Sequence, residues 1–116
     1  LTGGKGRDSF LFTTKGKYSR EAMGEDTITD FIVGQDKLRL DPDTFARLKP
    51  NQDFSKQFAT VTGDKAAATS DAYIVYNSNN GNLFYNANGN KPGLGAGGQF
   101  ATLEGAPELD ANDFVI

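Results

Sequence analysis

The sequence predicts an all-β fold with one short helix, and three observations predict it. Where apolar residues recur in a readable pattern they alternate with polar ones at every second position, the period of a strand with one buried face. The pair Asn80-Gly81 separates two aromatic-rich runs, which is the signal of a tight β-hairpin. A glycine cluster at Gly3, Gly4 and Gly6 leads into a strand-like run and not into a helix.

Taken in order, Ser9-Phe10-Leu11-Phe12 reads as the first strand, and residues 13–25, polar with Gly16 and Gly24, read as an exposed excursion. Asp26 to Ile32 alternates polar and apolar and reads as the second strand; Gly34-Gln35-Asp36 turns the chain into a third, Lys37-Leu38-Arg39-Leu40. Asp41 is a helix cap, Pro42 suits a first turn, and Phe45 and Leu48 lie three apart, so the one helix is predicted over 41–49 with Pro50 ending it. From Asn51 to Val61 two readings stay open: Phe54 and Phe58 are spaced for a helical turn, while Phe58-Ala59-Thr60-Val61 suits the start of a strand. Tyr73-Ile74-Val75-Tyr76 and Leu83-Phe84-Tyr85 form the hairpin. A glycine and asparagine loop runs to Gly98, and Gln99 to Leu103 and Asp113 to Ile116 are the last two strands.

Composition bounds the chemistry. A chain of 116 residues supports one modest core, and because it begins with Leu1 it reads as a module cut from something longer. Acidic residues outnumber basic ones 15 to 12, with no basic stripe for a phosphate backbone, so nucleic acid is not an expected partner. No apolar run approaches the ~18 residues of a membrane span. Cysteine and histidine are absent, which removes thiol and imidazole chemistry and the usual zinc, copper and iron ligands. Hard cations that favour carboxylate, amide and carbonyl oxygens remain. With no G-x-S-x-G, no S-x-x-K and no carboxylate pair standing out, intrinsic catalysis is not expected.

Gly3-Gly4-Lys5-Gly6-Arg7-Asp8-Ser9-Phe10-Leu11 fits the nonapeptide G-G-x-G-x-D-x-U-x, in which U is a large apolar residue. Phosphate-binding glycine loops need a helix N-terminus directly after the glycines, and none is predicted here. Further along, Asp26-Thr27-Ile28-Thr29-Asp30-Phe31 with Gly34-Gln35-Asp36-Lys37-Leu38-Arg39-Leu40, then Gly81-Asn82-Leu83-Phe84-Tyr85-Asn86-Ala87-Asn88-Gly89, Gln99-Phe100-Ala101-Thr102-Leu103 and Asp113-Phe114-Val115-Ile116, follow in sequence. Over almost its whole length the chain resembles the C-terminal end of an RTX protein, the hemolysin-type calcium-binding repeat family, of the serralysin-like, type I-secreted kind.

That resemblance implies the end of a parallel β-roll, capped by a mostly antiparallel β-sandwich with one short helix. Residues 1–40 would be the last coil and capping strands, and residues 41–116 the cap. It implies a Ca2+ site in which Gly3, Gly4 and Gly6 contribute carbonyls and Asp8 a carboxylate, with Asp26 as the expected partner; Glu21, Glu25 and Asp30 stay open as alternatives, and Asp36 reads as a turn residue. One loop supplies half of the six to eight oxygens calcium takes, so upstream repeats of the same chain are the expected complement. The loop Asn86 to Asn90, with asparagine where many relatives carry aspartate, reads as a solvated turn. Asp113, Phe114, Val115 and Ile116 resemble an uncleaved secretion signal read by an ABC transporter, which implies a bacterial protein secreted or held at the cell surface. Self-association through an open strand edge stays open. The alternative is a surface-layer, adhesion or glycan-binding module using Tyr73, Tyr76, Phe84 and Tyr85.

Overall fold

In the computed structural model, residues 6–14, 16, 18–19, 23–49, 53–67, 69–88, 93–95 and 97–116 are described. Alternation produces the strands that it predicts. In β1 (Ser9–Phe12) and β3 (Lys37–Leu40) every second side chain, Phe10, Phe12, Leu38 and Leu40, is buried. The two strands pair in parallel from Ser9 opposite Lys37 to Phe12 opposite Leu40, and β8 (Phe114–Val115) joins the far side of β3, also parallel. Between β1 and β3 the chain visits the second sheet as β2 (Asp26–Ile28).

The second sheet has the order β2-β7-β6-β5-β4, where β4 is Phe58–Val61, β5 Ile74–Asn77, β6 Asn82–Tyr85 and β7 Gly98–Leu103. Its centre, β5-β6-β7, is antiparallel, whereas β2 and β4 are added in parallel at its two edges. The sheet is therefore mixed and not mostly antiparallel. One core cluster joins the buried faces of both sheets: Phe10, Phe12, Leu38, Leu40 and Phe114 from the first meet Ile28, Ile74, Tyr76, Leu83, Tyr85, Phe100 and Leu103 from the second. Phe45 seals the middle, with ring centroids 5.1 Å from both Tyr85 and Phe100. A smaller cluster of Ala67, Ala72, Val75 and Phe84 covers the outer face of the second sheet beneath the single-turn helix α1 (Asp64–Ala67).

Three elements depart from the sequence reading. The second strand ends at Ile28 because its partner β7 ends at Leu103, and the chain turns away at Gly105, where φ is +80°. Phe31 then packs on Phe10 with centroids 6.3 Å apart. No helix forms over 41–49. Its first turn closes, with Phe45 N–H donating to the Asp41 carbonyl at 2.9 Å, but beyond it Leu48 N–H reaches only the i−3 carbonyl of Phe45, while Arg47 N–H donates to the Tyr85 hydroxyl and Lys49 N–H to Gln57 Oε1. Those acceptors take the place of the i−4 carbonyls. Among the described residues the α-helical turn of the second half lies instead at α1. Both open readings of 51–61 are realised in succession, a 3-10 turn at Phe54–Lys56 and then β4. At the C-terminal side, Asp113 closes a second 3-10 turn (Ala111–Asp113) and only Phe114 and Val115 are strand. Among the described residues no helix is long and apolar enough to cross a membrane.

Candidate metal-binding loop

The glycine loop enters β1 through Gly6, whose φ of +90° is a conformation that side-chain-bearing residues avoid. A Cβ there would meet nothing within 4 Å, so the glycine serves the backbone angle and not a close approach. Asp8 follows in a half-buried position. Its backbone is fixed on both sides: its N–H donates to Asp36 Oδ1 at 3.0 Å, and its carbonyl accepts from Lys37 N–H at 2.8 Å. Asp8 Oδ2 is buried and has no hydrogen-bond partner among the described residues. An orphaned carboxylate oxygen costs free energy unless a donor or a cation meets it.

Gly3 and Gly4 lie outside the described residues, as does Glu21. Asp26 is the first residue of β2, opposite Ala101 on the second sheet, whereas Asp8 leads into the first. Glu25 is exposed and lines a groove of about 490 Å³ together with Gly24, Leu94, Gly98 and Gln99. Asp30 is half-buried in the bend after β2. Among the described residues no three carboxylates gather into a group able to hold a metal. The carboxylate brought to Asp8 is that of Asp36, read from sequence as a turn residue. The turn is there, but Asp36 is 1% exposed, and its Oδ2 accepts the Ile32 N–H at 2.9 Å.

A signal for this pair lies in the sequence at a separation of 28. Gly6-Arg7-Asp8-Ser9-Phe10-Leu11-Phe12 and Gly34-Gln35-Asp36-Lys37-Leu38-Arg39-Leu40 share the pattern G-x-D-x-U-x-U. The structure stacks the two copies in that register, with φ of +90° at Gly6 and +88° at Gly34. The far end of the pair is tied at the same spacing, the Thr13 hydroxyl donating to Asp41 Oδ2 at 2.6 Å. That bond, with the Asp43 N–H, holds the Asp41 carboxyl below the usual carboxylate range.

Elsewhere the asparagines are structural. Asp64 Oδ1 accepts from the side-chain amides of Asn77, Asn80 and Asn82 at 2.8, 3.2 and 3.3 Å, which lowers its pKa, Asn77 contributing most. The hairpin loop is thereby pinned to the start of α1. Asn86 is fully buried, donating to the Ser70 carbonyl and accepting from Asn88 N–H, so this end of the 86–90 loop is packed and not solvated; Gly89 and Asn90 are outside the described residues. Tyr76, Phe84 and Tyr85 are buried, and Tyr73 is half-buried beneath the Arg47 guanidinium, 5.6 Å from its ring centroid. Asp113 is buried and shares a capping box with Asp110, while Phe114 packs between Phe54 and Phe58 at 4.9 Å from each. No family model, curated protein or solved structure matches the chain, so the reading of these loops rests on their own geometry.

Proposed function

We propose that this chain is a calcium-binding, non-catalytic module of RTX type. It ends a stack of glycine-rich loops, gains stability when calcium joins Asp8 to the carbonyls of its loop, and carries at 113–116 a secretion signal that a type I exporter reads before the chain folds outside a bacterial cell. The observation that carries the reading is the buried, unpartnered Asp8 Oδ2 beside a left-handed glycine. The in-register G-x-D-x-U-x-U pair adds support, since stacked loops of this kind form the coil of a parallel β-roll, and so does the edge of β1, which pairs among the described residues with β3 alone. Asp8 is one carboxylate. The remaining oxygens of a six- to eight-coordinate ion come, in this reading, from Gly3, Gly4 and Gly6 and from a loop stacked on the open side.

A calcium site with a dissociation constant of about 10⁻⁴ M contributes about 1.4 kcal/mol in about 1 mM calcium. In a domain of this size that is a melting-temperature rise of about 5 °C. Thermal unfolding with calcium and with chelator, for the wild type and Asp8→Ala, is the test. A calcium-dependent rise that shrinks in Asp8→Ala is expected, and four identical curves would reject the reading.

A further inference from the structure

We infer that Asp36 is a metal-free clasp: its carboxylate holds the loop at 6–8 on the loop at 32–36 through two backbone N–H groups, in the interval where a stacked-loop array would otherwise hold a cation. The inference goes beyond the calcium reading and rests on it only in naming the ion that this interval excludes.

The two loops are copies of one pattern in one register, so their differences are informative. Asp36 is buried, and each of its oxygens faces a donor: Oδ1 takes the Asp8 N–H from the neighbouring loop at 3.0 Å, and Oδ2 takes the Ile32 N–H of its own loop at 2.9 Å. An ionised acceptor with two such donors is satisfied as a charge-assisted pair. The loop around it has also lost the residues that turn carbonyls inward. At the spacing of 28, Gly3 and Gly4 correspond to Phe31 and Ile32. Phe31 is buried against Phe10, and Ile32 and Val33 are β-branched residues, 45% and 42% exposed, that resist positive φ. Only Gly34, with φ of +88°, retains the glycine conformation. The loop at 32–36 is built outward from a phenylalanine in the core and closed by its own carboxylate, whereas Asp8, at the corresponding position one loop earlier, presents a buried oxygen with no donor among the described residues. Dependence on a ligand therefore stops between the two: Asp8 is the last position that takes one, and Asp36 holds its loop without help.

The test is amide hydrogen exchange on the whole 116-residue chain well below its melting temperature, in chelator and in about 5 mM calcium. The Asp8 and Ile32 amides are expected to be protected in chelator as well as in calcium. Asp36→Asn is expected to speed exchange at both amides by roughly tenfold or more, the loss of hydrogen bonds to a charged acceptor. Asp8→Asn is expected to leave the Ile32 amide protected. If Asp36→Asn does not fold, the wild-type comparison decides. Protection at Asp8 and Ile32 that appears only with calcium overturns the clasp, as does unchanged exchange at both amides in Asp36→Asn. A chain that binds no calcium at all, yet keeps both amides protected and loses them in Asp36→Asn, rejects the calcium reading and upholds the clasp.

Discussion

The hydroxyl of Tyr76 sits in the core and donates to the Pro107 carbonyl at 2.6 Å, tying the segment after β7 back onto β5. Burial pushes the phenol up to about 12. A raised acid pKa stabilises the folded state fully below the unfolded value of about 10, and that contribution is lost as pH rises from 10 towards 12. Tyr76→Phe removes the hydrogen bond and the ionisation together. The variant is expected to be less stable by about 1 kcal/mol at neutral pH, and the deficit to narrow above pH 10. Urea unfolding of both proteins at pH 7 and pH 11 checks this; a deficit that is constant across pH contradicts it. At the same scale, Asp8 was legible as a ligand candidate because its whole nonapeptide is local. Asp36 was not, because its partner Asp8, 28 residues away, becomes a neighbour only once β1 lies beside β3, whereas the bond from Ile32 is a local one that reads as an ordinary turn.

The hairpin of β5 and β6 is the element most plainly written in the chain, yet of its Asn80-Gly81 pair only Gly81 adopts positive φ, at +83°. The position has a second constraint: a Cβ on Gly81 would lie 2.1 Å from the Leu103 carbonyl oxygen, since the turn packs on the backbone of β7. Gly105 shares the angle, at +80°, with no atom within 4 Å of such a Cβ. Gly105→Ala is expected to cost about 1 kcal/mol from backbone strain alone, and Gly81→Ala at least twice as much. Equal losses in chemical denaturation would refute the steric component. The strands were legible because a half-buried strand exposes its period to inspection, as in Phe10, Phe12, Leu38 and Leu40. The helix over 41–49 was misread for the converse reason. Its capping chemistry is genuine, but Tyr85 and Gln57, 38 and 8 residues away, capture the N–H groups that a second turn needed. Strand β2 was overextended because a strand lasts only as long as its neighbour, and the end of β7 is invisible from residue 28.

For the whole molecule, the carboxyls of Asp41, Asp53 and Asp64 share a direction, each drawn below the ordinary aspartate value of 3.8 by hydrogen bonds from, most of all, Thr13, Ser55 and Asn77 respectively. Depressed carboxyls contribute stability that is present above the unfolded pKa and is lost as pH falls through the folded values. All three are largely solvated, so each contribution is modest. The melting temperature is expected to hold from neutral pH down to about 4 and to decline below it, and Asp64→Asn is expected to soften that decline. Scanning calorimetry from pH 7 to pH 2.5 would expose the error if the wild type and the variant decline in parallel.

The seam between β3 and β8 joins parts of the chain that are remote in sequence; the Lys37 ammonium that donates to the Asn112 carbonyl is 75 positions away. Contacts of such separation form late, after the intervening chain has given up its freedom. While Phe114 and Val115 are held away from β3, the three-stranded sheet stays one strand short and Phe54 and Phe58 lack their third ring. The arrival of those two residues is thus the stitch that closes the first sheet, made only after what it closes upon is in place.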